Sequence, residues 1–155
     1  MQTGLERIAE KARKETKLVF TSLLHHLTKE LIWESLRHIP KNSATGVDGQ
    51  SVDNAKENFE DWSGKMLKAI HRCGYKAPAI RRVYIPKPGR SEKRPIGIPP
   101  IADRALQRSA ARVLSAIYEE DFLKCSFGGR PGIGAHNAPV SYTHLTLPTT
   151  CNLCR

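Results

Sequence analysis

The chain has 155 residues with 25 Lys and Arg against 15 Asp and Glu, a formal charge of +10, so the partner to expect is a polyanion, drawn in by a field that salt weakens. That length can bury one core, no run approaches the roughly 20 apolar residues of a membrane span, and no signal-peptide apolar block follows Met1, so the expected setting is cytoplasmic and away from the membrane. Cysteines at 73, 125, 151 and 154 are too sparse for a disulfide framework and are expected to be reduced.

Taken in chain order, Leu5, Ile8, Ala9 and Ala12 fall at helical spacing among charges, which predicts a solvated amphipathic helix over 4–15. Thr28 is placed to cap a second helix, with Leu31, Ile32, Ser35, Leu36 and Ile39 on one face and Pro40 as its stop. The stretch KNSATGVDGQS that follows holds two glycines and an Asp-Gly pair, a loop signature. Helix resumes after Ser51 or Asp53, carries Phe59, Trp62, Met66 and Ile70 as a core stripe, and runs to about Arg72 before Gly74. Val83 and Ile85 alternate with Arg82 and Tyr84, then Ile96 and Ile98 with Pro95 and Gly97, on either side of a basic tip, a hairpin signal in which Pro86, Pro88, Pro99 and Pro100 are expected to mark strand ends. From Ile101 a long helix is predicted, with Leu106, Ala110, Val113, Leu114 and Ile117 on the core side and Arg104, Arg108 and Arg112 mostly opposite.

The hairpin concentrates the charge. Between Lys76 and Arg108 nine Lys or Arg (76, 81, 82, 87, 90, 93, 94, 104 and 108) face two acids, Glu92 and Asp103. A solvated charge run is the ordinary explanation of a basic stretch. Here, though, the cations sit on a projection stiffened by prolines, and like charges gathered at one tip repel unless an anion normally lies among them. A phosphate binder accounts for both, with Lys87 as a mobile point charge and Arg94 as a two-donor fork at opposite sides of the tip.

These residues, RRVYIPKPGRSEKRPIGIPPIADRALQ, resemble the first fingers motif of group II intron-encoded reverse transcriptases, also called maturases. The likeness extends through LERIAEKARK, HHLTKELIWESL, GVDGQSVD and IYEEDFLKCSFGGRPGIGAHNA, covering about residues 5–138. It implies an α+β fold, the fingers and start of the palm of a right-hand polymerase, truncated before the palm is complete. It implies an RNA-directed DNA polymerase as the full-length parent, with RNA template, DNA primer or product, and dNTP as partners and a role in intron splicing and mobility. By motif, Lys87 and Arg94 correspond to the residues that grip the incoming triphosphate. Arg81, Arg82, Arg90, Lys93 and Ile96, the loop Gly46, Val47, Asp48 and Gly49, and Arg130 of the second motif fall to template or RNA contacts. That second motif departs from the family's run at Gly129, Ile133, Gly134 and Asn137. The alternatives are a splicing module that folds RNA without synthesising DNA, and a retron or CRISPR-associated reverse transcriptase.

The resemblance also implies two Mg2+ ions in the full-length enzyme, held by palm aspartates that lie beyond these residues; the fragment itself is expected to hold no metal and no catalytic residue, to bind nucleic acid or nucleotide weakly, and to make no DNA. Asp48, Asp53, Asp61, Asp103 and Asp121 are scattered at loops and helix starts, where capping is the ordinary use. His25, His26 and His136 lack the neighbours of a ligand set, and Cys151 with Cys154 has zinc-knuckle spacing without a second pair. Three segments are expected: 1–50, the N-terminal helices and extension loop; 51–139, the fingers and start of the palm; and 140–155, a non-native tail. The stretch VSYTHLTLPTT has no counterpart in the family and can be back-translated into a string that resembles a transposon mosaic-end adapter of sequencing libraries.

Overall fold

The computed structural model describes residues 4–15, 17–89, 91–123, 125–130, 132–134, 136 and 137. The expected tail at 140–155, with Cys151 and Cys154, lies outside them. The described residues mix helix and strand, as the α+β expectation has it: α1 (Gly4–Lys14), a 3-10 turn (Leu24–His26), α2 (Lys29–Arg37), α3 (Val52–Glu57), α4 (Phe59–His71), the antiparallel strands β1 (Arg81–Pro86) and β2 (Lys93–Ile98), and α5 (Ile101–Asp121). No helix among them is long and apolar enough to cross a membrane. The chain divides into two units, Val19–Ser115 and the residues up to Leu18 together with those from Ala116 on.

In the larger unit the core is set by the apolar stripe of α2. Thr28 caps that helix as expected, its hydroxyl accepting from Leu31 N at 3.3 Å, and His38 Nδ1 donates to the Glu34 carbonyl at the other end. Ile32 and Leu36 are fully buried with Val52, Ala55, Ile101 and Ala105, and an aliphatic side chain so placed contributes about 1.5–3 kcal/mol through loss of hydrated apolar surface. Where α2 meets α5 the residues are small: Ser109 Oγ lies 2.9 Å from Ser35 Oγ and 2.8 Å from the Ala105 carbonyl. Both serines are buried, so each hydroxyl has to find its partner inside the seam.

Four expectations change. The single helix over 51–72 is two, broken at Asn58, because the Trp62 indole donates to the Ala55 carbonyl at 2.8 Å, the acceptor that Phe59 N would use in a continuous helix. The buried residues of α4 are Phe59 and Ser63, with Trp62, Met66 and Ile70 half-buried. On α5 the buried set is Ile101, Asp103, Ala105, Leu106, Ser109 and Val113, whereas Leu114 is 45% exposed; the small residues, not the largest ones, admit the neighbouring helix. Finally, Cys73 and not Gly74 takes the left-handed position after α4, at φ 53°, with Cys73 N bonded to the Ile70 carbonyl and Gly74 N to Ala69, the paired bonds of a Schellman end.

In the smaller unit, α1 buries Ile8 and Ala12, one turn apart. Arg13 forks onto Glu120, Nε at 2.9 Å and Nη2 at 2.8 Å. The guanidinium holds the Glu120 carboxyl below its ordinary range, and the carboxylate raises Arg13 in turn.

Candidate nucleotide and nucleic-acid interface

The register of the hairpin pairs Arg81 with Ile98, Arg82 with Gly97, Val83 with Ile96, Tyr84 with Pro95, Ile85 with Arg94 and Pro86 with Lys93. Lys87 N donates to the Glu92 carbonyl at 3.1 Å, one step beyond the strands. Directly opposed residues share a face and successive residues alternate. One face therefore carries Arg81, Val83, Ile85 and Lys87 against Ile98, Ile96, Arg94 and Glu92. The other carries Arg82, Tyr84 and Pro86 against Gly97, Pro95 and Lys93.

Pro86 is the last residue of β1 and Pro99 and Pro100 directly follow β2, as expected of the strand ends, while Pro95 lies inside β2. Counting back from the bonded pair at Lys87 and Glu92, bonded pairs fall at Ile85–Arg94, Val83–Ile96 and Arg81–Ile98, which leaves Pro86 and Pro95 at the alternate pairs, where the backbone nitrogen points away from the partner strand. The ladder loses nothing by their missing N–H.

The first face joins an apolar strip to a charged end. Val83 and Ile96 stand opposite each other, and Ile85 and Ile98 extend the strip; β1 is exposed along its whole length, Ile96 and Ile98 are half-buried, and Ile85 is 42% exposed. Lys87 and Arg94 share this face as diagonal neighbours, a relation that in antiparallel sheets spans about 7–8 Å, short enough for one polyphosphate. Lys87 Nζ is 2.8 Å from Glu92 Oε2. Arg81, Arg82, Lys93 and Arg94 show no ion pair among the described residues. Arg90, also expected at this surface, lies outside the described residues.

Two devices fix the root of the hairpin. Tyr75, in the segment leading into β1, donates its hydroxyl to Asp103 Oδ1 at 2.8 Å, and Gln107 Nε2 donates to Oδ2 at 2.7 Å. Asp103 is 4% exposed, so the capping role expected of it is replaced by a clasp joining the chain before β1 to the helix after β2. Burial, then the hydrogen bond to this carboxylate, pushes the Tyr75 phenol above its ordinary range. The second device concerns the Gly-Val-Asp-Gly loop. Gly46 is buried against Pro100: a Cβ there would stand 2.6 Å from Pro100 Cα and 2.7 Å from its nitrogen. Arg104 Nη1 donates to the Ala44 carbonyl at 3.0 Å. The loop is thus anchored where β2 passes into α5, leaving Val47, Asp48 and Gly49 exposed; Asp48 Oδ1 accepts from Gln50 N at 3.3 Å and Gly49 turns the chain at φ 66°.

Arg130 belongs to the smaller unit. Its Nε donates to Glu119 at 3.0 Å, its Nη1 to the Ser126 carbonyl at 3.1 Å, and its guanidinium lies 5.2 Å from the Phe122 ring centroid. Those donors are spent on the chain itself. The residues that sequence reasoning did not single out are Glu92 as a partner of Lys87, and Tyr75, Asp103 and Arg104 as anchors. Only their position on either flank of the finger could have signalled them, because none belongs to an apolar period. Among the described residues no three His, Cys, Asp or Glu side chains gather as metal ligands. No set of the described side chains fits a Mg2+ ion.

Comparison with known proteins places this geometry beside relatives. No family model matches the chain. Over 135 residues, 86% of the chain, it is 29% identical to Group II intron-encoded protein LtrA of Lactococcus lactis subsp. cremoris. Over 64 residues, 41% of the chain, it is 42% identical to Protein YkfC of Escherichia coli strain K12. The matches cover 22% of the first relative and 16% of the second, so the chain spans about a fifth of the length of the curated relatives it matches. The resemblance to the group II intron-encoded family drawn from the finger motif is supported by this similarity along most of the chain.

Proposed function

We propose that this chain is the fingers and the start of the palm of a right-hand, RNA-directed DNA polymerase of group II intron type. The observation that carries the reading is the hairpin face on which Lys87 and Arg94 stand together at the end of an apolar strip, in a chain similar to a group II intron-encoded protein. In the complete enzyme Lys87 and Arg94 hold the triphosphate of the incoming nucleotide, Arg94 through its planar fork and Lys87 as a point charge. Val83, Ile85 and Ile96 offer the base an apolar surface beside those cations. Arg81, Arg82 and Lys93, with the exposed part of the 46–49 loop, run along the template backbone, where unpaired cations give affinity by releasing counterions. In such an enzyme Mg2+ held by palm aspartates would supply charge stabilisation for the in-line displacement; the part proposed for the residues described here is to bind and orient.

Titration of the chain with inorganic tripolyphosphate and with single-stranded RNA, at several salt concentrations, tests this. Lys87→Met and Arg94→Lys should each weaken tripolyphosphate binding without lowering the melting temperature, and each template contact removed should reduce the RNA salt slope by about 0.7. Unchanged binding in both variants would remove the finger from the site. Primer extension by the complete parent protein separates the polymerase from a splicing module that folds RNA alone, since the latter would splice and fail to extend.

A further inference from the structure

The finger contains an anion of its own. Of the two acids between Lys76 and Arg108, Asp103 is buried and engaged by Tyr75 and Gln107, which leaves Glu92 as the one exposed carboxylate in the segment. It stands directly across the ladder from Lys87, bonded through the backbone and through Nζ to Oε2 at 2.8 Å. It also lies two residues before Arg94, on the same face. The two side chains keep 38% and 69% of their exposure, so water competes for both partners and the pair is weak.

We propose that Glu92 is a built-in counter-ion for Lys87, a positioning residue that keeps the ammonium extended over the binding face and must be displaced by the polyphosphate that binds there. This rests on the reading of the hairpin as a triphosphate grip and adds an exchange step to it. In the unliganded finger the carboxylate neutralises one cation of a crowded tip, relieving repulsion between Lys87 and Arg94. A tripolyphosphate, with several negative charges and many acceptor oxygens, outbids a single carboxylate for the lysine. The Lys87–Glu92 pair is given up in this exchange, so binding is weaker than the cations alone would make it. Glu92 thereby sets the affinity low enough for rapid release.

A double-mutant cycle in the 155-residue chain, read as tripolyphosphate affinity by isothermal titration, decides the matter. Glu92→Gln, and equally Glu92→Ala, should tighten binding by about two- to fivefold, the range open to an exposed ion pair, whereas Glu92→Asp should stay near the parent value. Glu57→Gln, the same change in net charge away from the hairpin, should leave the affinity unchanged. In a Lys87→Met background Glu92→Gln should have no effect, because the competition it removes no longer exists. A gain that persists in that background, or one matched by Glu57→Gln, would overturn the counter-ion and leave the grip standing. If instead neither Lys87→Met nor Arg94→Met weakens binding, the grip itself falls and the inference falls with it.

Discussion

The α2–α5 seam and the β1–β2 hairpin, both within the larger unit, solve opposite problems. In the seam Ile32 and Leu36 are sealed from solvent and even the polar groups, Ser35 and Ser109, satisfy each other. In the hairpin the whole of β1 is exposed, Tyr84 to 57%, and the unpaired groups are cations. Apolar burial holds the seam and the ladder alone holds the finger, which two strands by themselves barely stabilise in water. What the difference teaches is that the finger keeps its shape from its root: Tyr75 clasped to Asp103 on one side and Gly46 with Arg104 on the other. On the proposed function, stability is drawn from one region and binding from another, and substitutions should separate them.

The largest separation comes from Leu36→Ala, which should cost about 2–5 kcal/mol as a cavity in a fully buried site, a large share of the 5–15 kcal/mol a domain typically has. Urea unfolding measures it. The double variant Lys87→Met, Arg94→Met should abolish tripolyphosphate binding with the unfolding midpoint unmoved, and a midpoint that fell with it would break the comparison. Next, Ser109→Ala should cost about 1–3 kcal/mol by leaving the Ser35 hydroxyl without its partner, and adding Ser35→Ala should recover part of that loss. Tyr75→Phe sharpens the role of the root. Because the phenol is held above its ordinary value of 10.0 in the folded chain, the clasp contributes fully below that pH and is lost as pH rises through the folded value. The variant should show a smaller fall in melting temperature between pH 9 and pH 11 than the parent chain. The smallest effect is a gain: Cys73→Gly should stabilise by about 0.5 kcal/mol, since glycine meets no Cβ penalty at a left-handed helix end, a rise of about 1–2 °C in melting temperature.

Much of this contrast could be read from residues alone, and the reason differs by region. Thr28 and Ser51 announce helix starts because capping is local chemistry, and the hairpin shows itself through Val83, Ile85, Ile96 and Ile98, because alternation is a property of the strand itself. The break at Asn58 stayed hidden because an indole four residues on takes over a main-chain acceptor. So did the buried set of α5: a ranking by hydrophobicity favours Leu114 over Ser109, but helix spacing at the seam rewards small volume and a matching hydroxyl. The cations of the site were legible as composition. Their sharing of a face, and the pairing of Lys87 with Glu92, depend on a register that no single strand encodes.

The outward nitrogens of Pro86 and Pro95 have one more effect. Each outer margin of the two-stranded ribbon lacks a donor in its row, Pro86 on one side and Pro95 on the other, so an extended peptide seeking to add itself as a third strand meets a gap wherever it approaches. An exposed ribbon of this kind would otherwise invite aggregation. Interrupted along both margins, the ribbon discourages strand addition and offers a partner chiefly its exposed side chains.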